Sequence, residues 1–173
     1  MSRAKIMILA GGTGGHVIPG LTIAKALEDA KCDITWIGTK GGIEEKLVPK
    51  ANIKIEYITV MGLRGKSLMN VLIAVKQLIR SIFQSINLLM KYRPDVVIGM
   101  GGYVSGPGGI AAFLLRYPLV IHEQNSVPGT TNKFLARIAS SVLEAFPGSF
   151  RSNMNAKTIG NPIREEIALI EDP

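Results

Sequence analysis

The chain has 173 residues, 47% of them hydrophobic and 19% charged, with few aromatics, so it suits one globular domain with an aliphatic core. Its net charge of +7 favours an anionic partner, while its single cysteine excludes an internal disulfide and a cysteine-based metal cluster. With only two histidines besides, no metal and no cofactor is expected.

The first apolar run, residues 6–9, reads as a strand. It is too short for a signal-peptide core, and no run in the chain reaches ~18 uninterrupted apolar residues. A cytoplasmic location without a membrane-spanning helix is therefore expected. The strand leads into Gly11-Gly12-Thr13-Gly14-Gly15-His16, and a helical pattern follows over 17–30. Strand, glycine turn and helix is the form of an anion-binding loop, because glycines bring bare backbone close to a ligand and a helix start offers unpaired N–H groups. The spacing fits neither common nucleotide fingerprint. A dinucleotide loop would need glycine where Val17 stands, and no acid ends the second strand. Gly65-Lys66-Ser67 is not a P-loop either, since Val60 holds the place of its first glycine. His16 is either a helix-start residue packed on a neighbouring loop or a group that faces the anion and exchanges a proton.

Short apolar runs at 34–37, 53–58, 96–98, 119–121 and 142–143 read as further strands, and 43–49, 108–116 and 130–139 as helices. Cys32 and Trp36 beside the second strand, and Phe113 in a later helix, read as core residues. Continuous rather than alternating apolar strands suit a parallel sheet covered on both faces. The expected fold is α/β: a Rossmann-like, doubly wound parallel sheet whose ligands sit beyond the carboxyl ends of the strands.

Residues 68–92 form a long helix. Leu68, Leu72, Val75, Ile79, Ile82, Ile86 and Leu89 make a stripe expected to face the core. Met69, Ile73 and Phe83 widen the apolar surface beyond one buried face. No acid occurs between Glu56 and Asp95, whereas Arg64, Lys66, Lys76, Arg80, Lys91 and Arg93 are basic. That combination suits an interfacial helix on anionic lipid, or else a core helix with a solvated face or a protein contact. The patch lacks the interleaved aromatics of a nucleic-acid surface, so no nucleic acid is expected.

A second glycine segment, 99–109, again lies between strand and helix and includes Gly101, Gly102 and Tyr103. It either faces the first across a crevice, cradling a diphosphate, or serves close helix-on-sheet packing. His122-Glu123-Gln124-Asn125 follows a strand end. There Asn125 can bond sugar hydroxyls, Glu123 can act as a base or orient a neighbour, and His122 reads as a satisfied, half-buried residue. Near the end, Thr158-Ile159-Gly160-Asn161-Pro162-Ile163-Arg164 reads as the last strand and turn of the domain, with Arg164 an exposed hinge residue or an anion ligand.

Taken together, Gly11–Gly20, 63–66, 94–97, Gly99–Gly109, 122–125, 145–148 and 160–164 resemble the MurG family of peptidoglycan N-acetylglucosaminyltransferases across nearly the whole chain. The resemblance implies one half of a glycosyltransferase B architecture: an N-terminal acceptor-binding domain over 1–163, then the start of a linker at 164–173 to a donor-binding domain. It implies metal-free, inverting transfer from UDP-GlcNAc to the 4-hydroxyl of undecaprenyl-diphospho-MurNAc-pentapeptide, at the cytoplasmic face of the bacterial plasma membrane. By the same match, Thr13, Gly14, Gly15, Asn125 and Arg164 are donor-contacting positions, and His16 is a candidate base or diphosphate ligand. The basic, apolar stretch (Arg64, Lys66, Met69, Ile73, Lys76, Arg80, Phe83) matches a membrane-association patch. The half alone is expected to be inactive or nearly so. Rival readings are a nucleotide-binding oxidoreductase domain and a non-catalytic module for anionic membranes.

Overall fold

The computed structural model describes residues 3–60 and 68–163, the side chains of 68–70 excepted. Arg64, Lys66 and Arg164 lie outside the described residues. Seven strands form one parallel sheet: β1 (Lys5–Ala10), β2 (Asp33–Gly38), β3 (Lys54–Tyr57), β4 (Val96–Gly101), β5 (Leu119–Glu123), β6 (Ser141–Glu144) and β7 (Lys157–Thr158). Their order is β3-β2-β1-β4-β5-β6-β7, so the direction of winding reverses between β1 and β4. In such a sheet the ligand crevice opens beyond the carboxyl ends of the strands at the reversal.

Period-two alternation divides the core. Met7 and Leu9 of β1 face one side with Leu89, Val104, Ala111 and Leu135. Ile6, Ile8 and Ala10 face the other with Val17, Ala24, Trp36 and Val48. The first side is covered by α3 (Leu68–Tyr92), α4 (Gly102–Leu114) and α5 (Thr130–Leu135), the second by α1 (Gly14–Asp29) and α2 (Glu44–Lys50). Trp36 is fully buried and donates its indole N–H to Ala10 O at 2.8 Å.

The strands lie where the sequence places them, but several helices differ. α1 begins at Gly14 and α4 at Gly102, three and six residues before the periodic patterns do. Glycine is a poor helix former, so a pattern search misses these turns, and tertiary packing supplies what propensity lacks. A side chain at Gly108 would meet Leu9 at 2.7 Å, and one at Gly109 would meet Leu135 at the same distance. Gly108 thus lets α4 lie directly on the sheet, and Gly109 lets it pack closely on α5. α5 stops at Leu135, because tight turns take over, Arg137 N bonding Phe134 O and Ile138 N bonding Leu135 O.

The expected stripe of α3 is half wrong. Leu72, Val75 and Ile79 point outward, at 65%, 49% and 50% exposure. The helix instead sinks Ser81, Ser85 and Leu89 against its neighbours, and the serines donate to carbonyls of their own helix, Leu78 O and Ser81 O, both at 2.8 Å. α3 packs on glycine-rich α4. Val71–Tyr92 is long and apolar enough to cross a membrane by length and composition, which the search for uninterrupted runs did not reveal. Phe113, expected in the core, is half exposed, and Cys32 is only partly buried.

Candidate functional site at the carboxyl edge of the sheet

The two glycine segments meet at the β1/β4 reversal, and they pack on each other. A Cβ at Gly102 would fall 2.3 Å from Gly11 O, and one at Gly12 would lie 2.7 Å from the Tyr103 ring. Gly101 and Gly102 also hold φ of 109° and 74°, where side chains are strained. Bare backbone at 101–102 thus serves the junction itself. What faces outward is the rim: Thr13, Gly15, Tyr103 and Asn125 are exposed.

No side chain caps α1. Thr13 stands at the N-cap, yet its hydroxyl is hydrogen-bonded to His16 Nδ1 at 3.0 Å rather than to the following amides. The first helical N–H groups, at Gly14 and Gly15, have no intrahelical acceptor and remain open to an anion. His16 is half-buried, its ring against Gly101: a Cβ there would meet Cδ2 at 2.5 Å and Nε2 at 2.8 Å. Burial lowers the His16 pKa, partly opposed by the nearby Glu123 carboxylate, which raises it. The net shift favours the neutral ring. With Nδ1–H donating to Thr13, Nε2 keeps its lone pair and can accept a proton; in the other tautomer it donates.

Glu123 ends β5 with no solvent exposure. Oε1 accepts from Asn125 N (3.0 Å) and Asn125 Nδ2 (2.8 Å), and Oε2 from Gly129 N (3.1 Å) and Asn132 Nδ2 (2.9 Å). Four donors hold the charge, as a buried carboxylate requires. Of its two sequence-stated roles, this geometry suits orienting a neighbour: it fixes the Asn125 amide and leaves the amide oxygen outward. His122 is more deeply buried than expected, at 1% exposure. Its Nε2–H donates to Gly160 O at 3.0 Å and its Nδ1 accepts from Gln124 Nε2 at 3.1 Å. Burial lowers its pKa, only partly offset by the bond to Gly160 and the charge of Glu123. It ties β5 to the 160 turn.

Sequence reasoning missed three residues here. Glu44, at the start of α2, is fully buried and accepts from Thr39 N (3.0 Å), Thr39 Oγ1 (2.8 Å) and Gly12 N (3.2 Å). Gly11, Gly38 and Gly42 all close around it, each too near for a Cβ. An acid in the first turn of a helix behind two glycines was the available signal. Glu144, ending β6, binds Phe150 N (3.0 Å), Gly148 N (3.2 Å) and Thr158 Oγ1 (3.0 Å). Burial raises its pKa, but these bonds outweigh it and the net shift is downward. Asn132, buried in α5, reaches both Glu123 and His122 O, while its Oδ1 has no protein partner.

Of the membrane-patch residues, Ile73, Lys76, Arg80 and Phe83 are exposed on α3, and Met69 lies in the helix with its side chain outside the description. They lie on the sheet face opposite α1. No cluster among the described residues has the composition to hold a metal ion.

The glycosyltransferase family 28 N-terminal domain matches residues 6–144. The chain is 52% identical over 169 residues to a UDP-N-acetylglucosamine–N-acetylmuramyl-(pentapeptide) pyrophosphoryl-undecaprenol N-acetylglucosamine transferase of Vibrio cholerae, and 48% over 171 residues to that of Proteus mirabilis. These matches cover 98% and 99% of the chain but 47% of either relative, so the chain spans about half the length of the curated relatives it matches. The crystal structure of Acinetobacter baumannii MurG superposes with a TM-score of 0.82 at 40% identity, over 94% of this chain and 47% of that one. The Rossmann-like sheet is thus one half of a glycosyltransferase B architecture, as expected. The chain belongs to glycosyltransferase family 28, whose N-terminal domain it matches.

Proposed function

We propose that this chain is the acceptor-binding, membrane-docking half of a transferase that moves GlcNAc from UDP-GlcNAc to the 4-hydroxyl of undecaprenyl-diphospho-MurNAc-pentapeptide, with inversion. Residues 1–163 are the acceptor domain, and 164–173 begin the linker to a donor-binding half. Near-complete alignment with about half of each transferase supports this division. The single observation that carries the chemistry is the rim at the β1/β4 reversal, where open amides at Gly14 and Gly15 adjoin a neutral His16. The amides and the α1 dipole attract the diphosphate, with Thr13 to Gly15 also reaching the donor nucleotide. Asn125 bonds sugar hydroxyls, Gly101 and Gly102 hold the crevice wall, Tyr103 lines its rim, and Arg164 contacts the donor from the linker. His16 Nε2 takes the proton as the 4-hydroxyl attacks the anomeric carbon of GlcNAc, while the bond from that carbon to the diphosphate oxygen breaks and UDP leaves with its electron pair. Glu123 stabilises the imidazolium through its charge. Displacement needs both substrates positioned together, so the half alone turns over little or not at all.

The face of α3 bearing Leu72, Ile79 and Phe83 beside Lys76 and Arg80 supplies the contact with anionic lipid at the cytoplasmic membrane surface. The decisive experiment is His16→Ala in the protein carrying both halves. General-base help is worth ~10²–10⁴ in rate. A fall of that order in kcat with KM little changed is expected, and unchanged turnover would remove His16 from this role.

A further inference from the structure

A cavity of about 600 Å³ opens beside the rim, between α5 and the segment after β6. Its walls carry Lys133, Arg137 and Arg151, with Ser126 and Ser149 between them and Phe150 among the apolar lining. The three cations are exposed, and among the described residues no acid lines the cavity. Among the described residues none of the three is ion-paired. Between Ser126 and Met154 the sequence holds one acid, Glu144, which spends its oxygens on Gly148, Phe150 and Thr158. The cavity is also attached to the site. Ser149 Oγ donates to Asn125 O at 3.1 Å, and Glu123 holds Gly129 N and Asn125 N at either end of the loop that forms one wall.

We propose that this cavity is a subsite for the peptide carried by the acceptor sugar, in which Lys133, Arg137 and Arg151 bind its carboxylates. The inference rests on the functional reading above. The cavity adjoins the Asn125 end of the rim, so an acceptor sugar in the crevice places its substituent beside it, and a pentapeptide brings at least its terminal carboxylate. Arginine suits that group because its planar fork matches carboxylate geometry. The apolar lining meets aliphatic peptide side chains, and the volume falls in the range of small-ligand sites. A lipid headgroup is the weaker occupant, because the outward apolar stripe that suits a bilayer lies on α3, which packs on α4 rather than lining this cavity.

The test measures binding to this chain of a short-chain polyprenyl-diphospho-MurNAc-pentapeptide, the same compound without its peptide, and phosphatidylglycerol vesicles. Wild-type chain is expected to bind the peptide-bearing acceptor about tenfold or more tightly than the peptide-free one. A triple variant, Lys133→Gln with Arg137→Gln and Arg151→Gln, erases that difference and binds the peptide-free compound as before. Equal wild-type affinity for both acceptors overturns the subsite and leaves the functional reading standing. A variant that weakens both acceptors alike overturns it as well. So does one that loses only vesicle binding, which marks a headgroup site. Wild-type chain that binds neither acceptor overturns the functional reading and this inference with it.

Discussion

Glu123→Gln changes one oxygen to an amide nitrogen, yet the local structure has no place for it. Each carboxylate oxygen accepts two N–H donors, from Asn125 on one side and from Gly129 and Asn132 on the other. Whichever way the new amide points, its NH₂ faces two donors. Two charge-assisted bonds are lost, at about 1.5–3 kcal/mol each, and two donors lose their acceptor. The expected loss is therefore roughly 3–6 kcal/mol, a large share of a stability of about 5–15 kcal/mol. In a domain of this size 1 kcal/mol moves Tm by about 2–4 °C, so Tm falls by roughly 6–24 °C. Thermal unfolding by circular dichroism measures this directly. A fall below about 2 °C would mean that the four bonds do not hold the loop, and the positioning role given to Glu123 would fail with them.

Gly102→Ala places a Cβ 2.3 Å from a backbone oxygen at φ 74°, and should cost about 1–3 kcal/mol or more, read from the denaturation midpoint. Phe83→Glu, at a position 62% exposed, should leave Tm unchanged but abolish sedimentation with anionic vesicles; binding preserved would remove α3 from the membrane contact. Glu144 has a lowered pKa, so its contribution to stability is whole above the ordinary glutamate pKa of about 4.3 and is lost as pH falls through the lower folded value. Glu144→Gln should accordingly be destabilised at neutral pH, and the gap to wild type should narrow in acid titrations of stability. Leu135→Ala, fully buried against Gly109, should cost about 2–5 kcal/mol in the same assay.

The strands were legible because a strand buried on both faces leaves an uninterrupted apolar run, as β1 does from Ile6 to Ala10. Glycine hid the starts of α1 and α4, where packing overrides propensity. The stripe on α3 misled for a different reason: helical periodicity reports that a face is apolar, not which side the core is on. Leu72 and Leu89 share the pattern, and only the fold puts one in solvent and the other inside. The rim residues Thr13, His16, Glu123 and Asn125 could be found because each lies at, or within one short glycine loop of, the carboxyl end of a strand. Glu44 and Asn132 were missed, because the helices that carry them meet the glycine loop and the end of β5 only in the fold. Glu44 binds Gly12 across 32 positions, and Asn132 reaches Glu123 across 9.

The carboxyl edge of the sheet also explains how a site for anions tolerates acids. Glu44, Glu123 and Glu144 are all buried there, and all accept from backbone amides of the loops around them. Their charge is met by donors inside the domain, so little of it is presented to a ligand. What reaches the surface is donor-rich: the first amides of α1 and the lysine and arginines of the neighbouring cavity. His16 lies between the two populations, hydrogen-bonded to Thr13 and close enough to Glu123 to feel its charge. A neutral imidazole there neither repels a proton leaving a sugar hydroxyl nor competes with the amides for a diphosphate. Once it takes that proton, the buried carboxylate stabilises the cation it becomes.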